Sequence, residues 1–241
     1  TLFRSKWNYL AHQGHFSESL LADVGLDELL EKVPQTILAL GESAGCLTTS
    51  VAEAFGLHTG VIVASGIIDA HAGGLALTAS QPEGSLAIIS GTSNCHMIVS
   101  QYPIMVPGVW GPYFGAMLPE LWLNEGGQSA AGALVEWSIR RHESWVELEQ
   151  EAKEKGVSYY TLLNQAVAEL EENEPYPTAQ FHVLADHHGN RSPRANPAAK
   201  GMVSGLTLES GRVALARYYL ATLQSIAYGT RHIIDTLEDA G

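Results

Sequence analysis

The sequence predicts an α/β protein with a mixed sheet flanked by helices, and two kinds of pattern support this prediction. Short, continuous apolar runs at 61–64 and 86–89 are bounded by glycine and serine, which is typical of strands covered on both faces. Segments 47–55 and 211–239 instead place apolar residues at helical spacing. With 241 residues, 46% of them hydrophobic, the chain can bury a sizeable core.

The first sixty residues are expected to form short helices and one brief strand. Ser17 is a candidate N-cap, because an apolar helical pattern follows it. Residues 36–40 are predicted to be a strand, residues 41–45 a turn, and Gly56 the end of the helix that follows.

The remaining elements follow in order. Residues 70–79 are predicted to be helical despite Gly73 and Gly74, whose presence indicates that another backbone or a ligand packs close to them. The other predicted elements are a structured loop or hairpin set at 101–124, a helix ending near 141, charged helices with a solvated face at 142–172 and a strand at 181–184.

Composition narrows the class of partner. The chain has 26 acidic and 13 basic residues, and its formal charge of −13 disfavours nucleic acid and anionic membranes. The spacing of Cys46 and Cys95 indicates neither a disulfide framework nor a zinc site, which favours a reducing compartment. No apolar run reaches the roughly 18–20 residues of a membrane span. We therefore expect a cytoplasmic protein that acts on small molecules.

Asp69 is the first candidate catalytic residue. It directly follows the apolar pair Ile67-Ile68, and a carboxylate desolvated there would gain proton affinity and act as a general base. The alternative is an aspartate that caps the following helix.

The segment Gly91-Thr92-Ser93 is the second candidate site. It offers backbone N–H groups and two hydroxyls to an anion without side-chain obstruction. An ordinary hairpin turn is the alternative. A carboxylate and a phosphate-sized loop within one short stretch together indicate phosphoryl transfer.

Two further patterns carry weaker hypotheses. Gly41 to Gly45 matches G-x-S-x-G, so Ser43 could be the nucleophile of a serine hydrolase, although few residues precede it and a strand-to-helix turn is favoured. Asp186 lies among three histidines, but their spacing is not that of a metal site, and a turn stabilised by Asp186, His188 and Asn190 is the preferred interpretation. No metal ligands are predicted. The histidines in question are His182, His187 and His188.

Taken in order, several segments resemble the FGGY family of carbohydrate kinases, within the actin-like ATPase superfamily. The resemblance is nearest to the ribulokinase-like branch, which acts on pentuloses. The segments that carry it are SKWNYL (5–10), GIIDAHAG (66–73), SGTS (90–93), NEGGQS (124–129), HGNRSP (188–193) and YGTRHI (228–233).

This resemblance implies an incomplete actin-like, ribonuclease H-like fold and ATP-dependent phosphorylation of a sugar hydroxyl. Asp69 matches the family's general base, and Lys6 and Glu125 match positions that hydrogen-bond the sugar. Gly91, Thr92 and Ser93 match the loop that meets the nucleotide phosphates. The implied partners are a pentulose or pentitol such as ribulose, ATP and Mg²⁺, and a homodimer is left open. Under this resemblance Cys95 and the histidines receive no role.

The resemblance also implies a division of the chain. Family members are about twice as long, with an acidic phosphate loop at the start and an adenosine-binding loop at the end. We therefore expect residues 1–60 to be the end of an N-terminal domain and residues 61–241 most of the C-terminal domain. The chain alone is expected to lack kinase activity, and a non-catalytic sugar-binding remnant is a further alternative.

Overall fold

The computed structural model describes residues 2–241. The helices are α1 Leu2–Ser5, α2 Glu18–Asp23, a 3-10 helix Asp27–Glu31, α3 Thr49–Phe55, α4 Asp69–Thr78, α5 Gly132–Arg140, α6 Trp145–Lys155, α7 Tyr159–Asn173 and α8 Gly211–Ala240. The strands are β1 Tyr9–Leu10, β2 His15–Phe16, β3 Ser43–Cys46, β4 Ile62–Ala64, β5 Leu86–Ser90, β6 Asn94–Ser100, β7 Trp110–Phe114, β8 Trp122–Gln128, β9 His182–Leu184 and β10 Met202–Ser204.

The largest sheet in the described part has four strands in the order β5-β6-β8-β7. Strands β7 and β8 are antiparallel, and Trp110 lies directly opposite Glu125 in their register. The other strands form antiparallel pairs, β1 with β2, β3 with β4 and β9 with β10. The structure is therefore an α/β fold, as predicted.

Residue contacts divide the chain into two compact units. The first comprises residues 1–89, 97–106 and 110–125, and the second comprises residues 90–96, 107–109 and 126–241. The domains predicted from the family resemblance, with their boundary between residues 60 and 61, are defined by sequence motifs and not by residue contacts. They stay a prediction.

The first unit has a small aromatic and aliphatic core near its start. Phe16, Leu21 and Val33 are buried together, and Phe3 packs edge-on against Phe16. Further along, α4 packs closely against buried methionines. A Cβ on Gly74 would lie 2.5 Å from Met117 Sδ and 3.2 Å from Met97 Cε. The close approach expected at the glycines of this helix is present, but the neighbours are side chains, because Ile89 lies against Gly73 and the two methionines lie against Gly74. The prediction of a backbone or a ligand at this position is therefore wrong.

The second unit is mainly helical. Long helix α8 packs against α5 and α7, and their apolar faces bury a common core. Its buried members are Val135, Ile139, Leu148, Ala152, Leu162, Leu163, Leu215 and Tyr219. Because these apolar residues recur at helical spacing, the pattern predicted the helices correctly.

Several local predictions are confirmed. Ser17 is the N-cap of α2 and accepts a hydrogen bond from Leu20 N. Gly56 ends α3 in the left-handed conformation that favours glycine. Helices α4 and α8 occupy nearly the predicted ranges, and β9 lies within the predicted strand.

The one strand predicted within the first sixty residues is wrong, whereas the strands predicted at 61–64 and 86–89 exist but are not covered on both faces. Residues 36–40 form no regular strand, and the predicted turn at 41–45 instead contains the start of β3 at Ser43. Strand β4 exists, but its three residues are exposed, with Ile62 at 66%. All three residues are exposed, so β4 is not covered on both faces. Strand β5 buries Ala87 but leaves Ile88 exposed, so this strand is also not buried on both faces.

None of the helices within residues 2–241 combines the length and the apolar character that crossing a membrane requires.

Candidate active site

The first unit brings together Lys6 and Glu125, which the sequence places far apart. Lys6 follows α1, Glu125 lies in β8, and Lys6 Nζ is 3.7 Å from Glu125 Oε2. The carboxylate is buried, with only 4% of Glu125 exposed, whereas the lysine side chain is about one-third exposed at 37%. A buried carboxylate is costly unless it is paired, and this lysine supplies part of the compensating charge.

An indole holds the lysine at this position. Lys6 Nζ lies 4.3 Å from the centre of the Trp110 ring, a cation–π contact. Trp110 is the cross-strand partner of Glu125, so the pairing of β7 with β8 sets the aromatic ring and the carboxylate side by side. The ammonium group therefore contacts two residues whose spacing the sheet fixes.

Helix α4 contributes a second partner for the same carboxylate. His71 Nε2 lies 3.2 Å from Glu125 Oε2, and Nδ1 lies 3.3 Å from the carbonyl oxygen of Ala116. The histidine is 1% exposed. No role was assigned to His71 from the sequence, although it stands two positions after Asp69 in the motif D-A-H-A-G. The burial of His71 could not be predicted from the sequence alone, because His71 contacts Glu125 on β8, a strand remote in sequence.

Asp69 lies at the first position of α4 and is exposed. Its Oδ1 accepts a hydrogen bond from Ala70 N at 2.8 Å. The argument that burial behind Ile67 and Ile68 desolvates this carboxylate is therefore wrong for this structure. The position in the first turn favours a negative charge through the helix dipole. Within residues 2–241 neither a hydrogen bond nor an ion pair joins Asp69 to Lys6 or Glu125.

The segment Gly91-Thr92-Ser93 connects β5 to β6 and belongs with the second unit from residue 90 onward. Gly91 N donates to Ser93 O, which closes a tight turn. The carbonyl oxygens of Gly91 and Thr92 accept from the backbone at the start of α5, at 2.9 Å from Gly132 N and 3.0 Å from Ala131 N. The first amides of α5 therefore bind this loop rather than an external anion, and the exposed faces of Gly91 and Thr92 remain accessible.

Close packing explains the glycine at the start of α5. A Cβ on Gly132 would lie 2.5 Å from the oxygen of Gly91. Any other residue would push the loop away from the helix.

Strand β6 continues from this loop into a polar network of the second unit. Asn94 Nδ2 donates to Gln128 Oε1 at 2.9 Å, and Gln128 Nε2 donates to the backbone of α8 at Ile226. His96 Nε2 lies 3.0 Å from Thr230 Oγ1. Burial, followed by the charge of Arg191, lowers the pKa of His96 to about 4. His96 is therefore neutral at pH 7.

The alternative nucleophile does not have the setting of a nucleophile elbow. Ser43 lies in an extended strand opposite Ala64, and its hydroxyl accepts a hydrogen bond from Gly45 N at 3.2 Å. An elbow requires the serine on a sharp turn between a strand and a helix. This geometry gives the serine hydrolase hypothesis no support.

The histidine-rich segment after β9 forms a turn. Asn190 Nδ2 donates to Asp186 Oδ1 at 2.9 Å, as the preferred interpretation predicted for these two residues. Burial, followed by the charge of His188, lowers the pKa of His187. The described residues contain no group of three or more histidine, cysteine, aspartate or glutamate side chains arranged to hold a metal ion. Cys46 and Cys95 are free thiols.

Comparison with known proteins decides the family. Residues 86–241, more than half of the chain, match the C-terminal domain of the FGGY family of carbohydrate kinases. The chain belongs to the FGGY family. This confirms the resemblance that the ordered sequence motifs indicated.

Individual FGGY relatives match almost the whole chain. An FGGY carbohydrate kinase domain-containing protein from Xenopus laevis is 45% identical over 98% of this chain, which spans 46% of that relative. A D-ribulokinase from Saccharomyces cerevisiae is 32% identical over 94% of the chain, which spans 36% of that relative. The chain thus spans less than half the length of both curated relatives.

A solved structure supports the fold. The xylulose kinase from Rhodospirillum rubrum superimposes with a TM-score of 0.66 and 24% identity, over 90% of this chain and 40% of the other. The chain therefore has the actin-like fold of the FGGY sugar kinases over the part that it covers.

Proposed function

We propose that the whole protein transfers the γ-phosphoryl group of ATP to a hydroxyl of a pentulose or pentitol, with ribulose as the first candidate. The observation that carries this proposal is the pairing of Lys6 with buried Glu125 inside an FGGY chain. Similarity to a protein described as a D-ribulokinase supports the choice of sugar.

The pair suits an uncharged polyol. The ammonium of Lys6 donates hydrogen bonds and the carboxylate of Glu125 accepts them, so together they bind hydroxyls that do both. A sugar hydroxyl between the two groups would donate to the carboxylate and accept from the ammonium. This role for Lys6 and Glu125 is a proposal.

Asp69 is proposed as the general base. Its carboxylate accepts the proton of the reacting sugar hydroxyl as that oxygen bonds to the γ-phosphorus, while the bond from this phosphorus to the bridging oxygen breaks and ADP leaves. The exposure of Asp69 leaves its carboxylate accessible to a bound sugar.

Gly91, Thr92 and Ser93 are proposed to meet the phosphates of ATP. The exposed loop has its carbonyl oxygens directed to α5, an orientation that keeps these acceptors from facing an anion. Mg²⁺ would neutralise phosphate charge in the family reaction. The described residues include no group of three or more histidine, cysteine, aspartate or glutamate side chains that could hold a metal ion, and we assign Mg²⁺ no residue.

The general base is tested in the whole protein by Asp69→Asn. Loss of a positioned base typically lowers turnover by about 10²–10⁴-fold. We expect a fall of this size in kcat, measured by ADP release with ribulose and ATP, together with sugar binding that remains detectable by calorimetry.

Asp27→Asn is the matched control, because Asp27 is also an exposed aspartate at the first position of a helical segment. Its kcat should equal that of the wild type. Turnover retained in Asp69→Asn would remove Asp69 from this role. A wild-type protein that phosphorylates none of ribulose, xylulose, ribitol and glycerol would contradict the proposed function itself.

A further inference from the structure

His71 is a buried histidine with an acceptor at each ring nitrogen. Nε2 faces the Glu125 carboxylate at 3.2 Å, and Nδ1 faces the carbonyl oxygen of Ala116 at 3.3 Å. Both His71 and Glu125 are almost completely removed from solvent, at 1% and 4% exposure. Water is therefore a poor substitute for either contact.

The two contacts constrain the protons of this pair. A carbonyl oxygen only accepts, so the contact with Ala116 is a hydrogen bond when Nδ1 carries a proton. The contact between Nε2 and Oε2 is likewise a hydrogen bond when Nε2 carries a proton, because a carboxylate oxygen accepts. The histidine and the carboxylate therefore form one hydrogen-bonded unit.

Other charged groups surround this unit. Lys6 approaches the same carboxylate oxygen at 3.7 Å from the segment after α1, and exposed Asp69 is on the same helix as His71. Arg4 donates to the carbonyl oxygen of Gly115 at 3.0 Å, next to the backbone group that His71 contacts. His71 and Arg4 thus contact neighbouring carbonyl oxygens of the same backbone segment.

We propose that His71 is a positioning residue that fixes the Glu125 carboxylate for binding the sugar. This inference rests on the proposed function, in which Glu125 accepts a sugar hydroxyl. His71 anchors its ring on Ala116 through Nδ1 and orients the carboxylate through Nε2. It touches neither the sugar nor ATP in this role.

A competing role is purely structural, with His71 only securing the turn at Ala116. Two substitutions separate the roles because each amide reproduces one ring nitrogen. The shorter side chain in His71→Asn places its amide nitrogen near the position of Nδ1 and keeps the contact with Ala116. The longer side chain in His71→Gln places its amide nitrogen near the position of Nε2 and keeps a donor for Glu125.

The kinetic test uses the whole protein with ribulose and ATP. A hydrogen bond to a charged group is worth about 10-fold or more in affinity. We expect His71→Asn to raise KM for the sugar by about 10-fold or more, with kcat and KM for ATP within about 3-fold of the wild type. His71→Gln should keep all three constants within about 3-fold. The reverse order of the two variants would overturn the proposal.

Melting temperatures of both variants separate binding from folding. If one variant does not fold, the other decides by the same criterion, and if neither folds, His71 is required for folding and the proposal is overturned. Crystal structures of the 241-residue chain carrying each substitution test the inference without turnover. Glu125 should be displaced in His71→Asn only. If the Glu125 carboxylate does not move in His71→Asn, the inference is contradicted even when the whole protein is an active kinase. If the carboxylate moves in His71→Asn but the wild-type whole protein phosphorylates no sugar, only the proposed function is contradicted.

Discussion

Asp69 and His71 are two residues apart on α4 and lie in opposite environments. Residues at positions i and i+2 of a helix do not share a face, so an exposed carboxylate and a buried imidazole can follow each other closely. Asp69 is open to solvent, and His71 reaches the carboxylate of Glu125 inside the unit. One short motif therefore supplies both the proposed base, Asp69, and the residue proposed to position the sugar-binding carboxylate of Glu125.

This helix also shows which part of the site the sequence could predict. Asp69, Lys6 and Glu125 follow from motifs that resemble those of a family, and the structure brings two of these three together. His71 could not be assigned in the same way, because its role depends on β8 and on the backbone at Ala116, which are remote in sequence. The exposure of Asp69 was also missed, since the apolar residues before it indicate a buried strand.

Gly74 has no side chain, and this allows α4 to pack closely against two buried methionines. Alanine favours a helix over glycine by about 1 kcal/mol, but overpacking a buried site costs about 1–3 kcal/mol. Met117 and Met97 are fully buried and have little room to move from the added methyl group. We expect Gly74→Ala to lower the free energy of unfolding by about 1–2 kcal/mol, measured by urea denaturation.

Gly66→Ala is the matched control. A Cβ at Gly66 would meet no atom within 4 Å, and its φ is not positive. We expect a change within about 0.5 kcal/mol in this variant. Equal stability of the two variants would show that α4 can shift away from the methionines.

At the level of elements, helices were predicted more accurately than strands. Helix α8 buries a continuous face, so its apolar spacing marks the helix over its whole length. Strands β3 and β4 have exposed residues and pair only with each other in the described sheets, so neither leaves an alternating pattern. The strand predicted at 36–40 failed because a short apolar run does not specify a pairing partner.

Arg217 connects α8 to the segments before it. Its guanidinium donates to Glu209 and to Glu174, each at 2.9 Å, and also to the carbonyl oxygen of Pro177. Hydrogen bonding to Arg217 lowers the pKa of Glu209 below its ordinary value of 4.5. Hydrogen bonds to the two carboxylates raise the pKa of Arg217, so it stays charged.

The sign of the pH dependence follows from the lowered pKa of Glu209. The folded state holds the ionised carboxylate more strongly than the unfolded state does, so this stabilisation is present above pH 4.5 and is lost as the pH falls through the lowered pKa. We expect Arg217→Gln to lower the free energy of unfolding by about 1–2 kcal/mol at pH 7, with water screening the exposed carboxylates. The difference from the wild type should shrink below about pH 4, as measured by urea denaturation across this range.

Arg231→Gln provides the comparison on the same helix. Arg231 forms an exposed ion pair with Asp235, and such surface pairs contribute about 0.5 kcal/mol or less. An Arg217→Gln effect that is the same at pH 7 and pH 3.5 would mean that packing of the arginine, rather than its ion pairs, stabilises α8.

At the scale of the whole molecule, charge bears on the class of substrate. The chain carries a formal charge of −13, which includes the two carboxylates of the proposed sugar site, Asp69 and Glu125, and the ammonium of Lys6. An anionic substrate would approach against this field and bring its charge beside two carboxylates. A neutral polyol avoids both costs, which favours pentuloses and pentitols over sugar acids.

Ribitol and ribonate are a matched pair for testing this preference, because both are five-carbon polyols and only ribonate carries a carboxylate. We expect kcat/KM of the whole protein to be at least about 10²-fold higher for ribitol, since like charges brought together at a binding site cost several kcal/mol. Added salt should narrow the gap through screening of the long-range part of the repulsion, which acts over about 10 Å at 0.1 M ionic strength. Turnover of ribonate equal to that of ribitol would instead indicate that Lys6 binds the substrate carboxylate, and the donor and acceptor roles proposed for Lys6 and Glu125 would have to be abandoned.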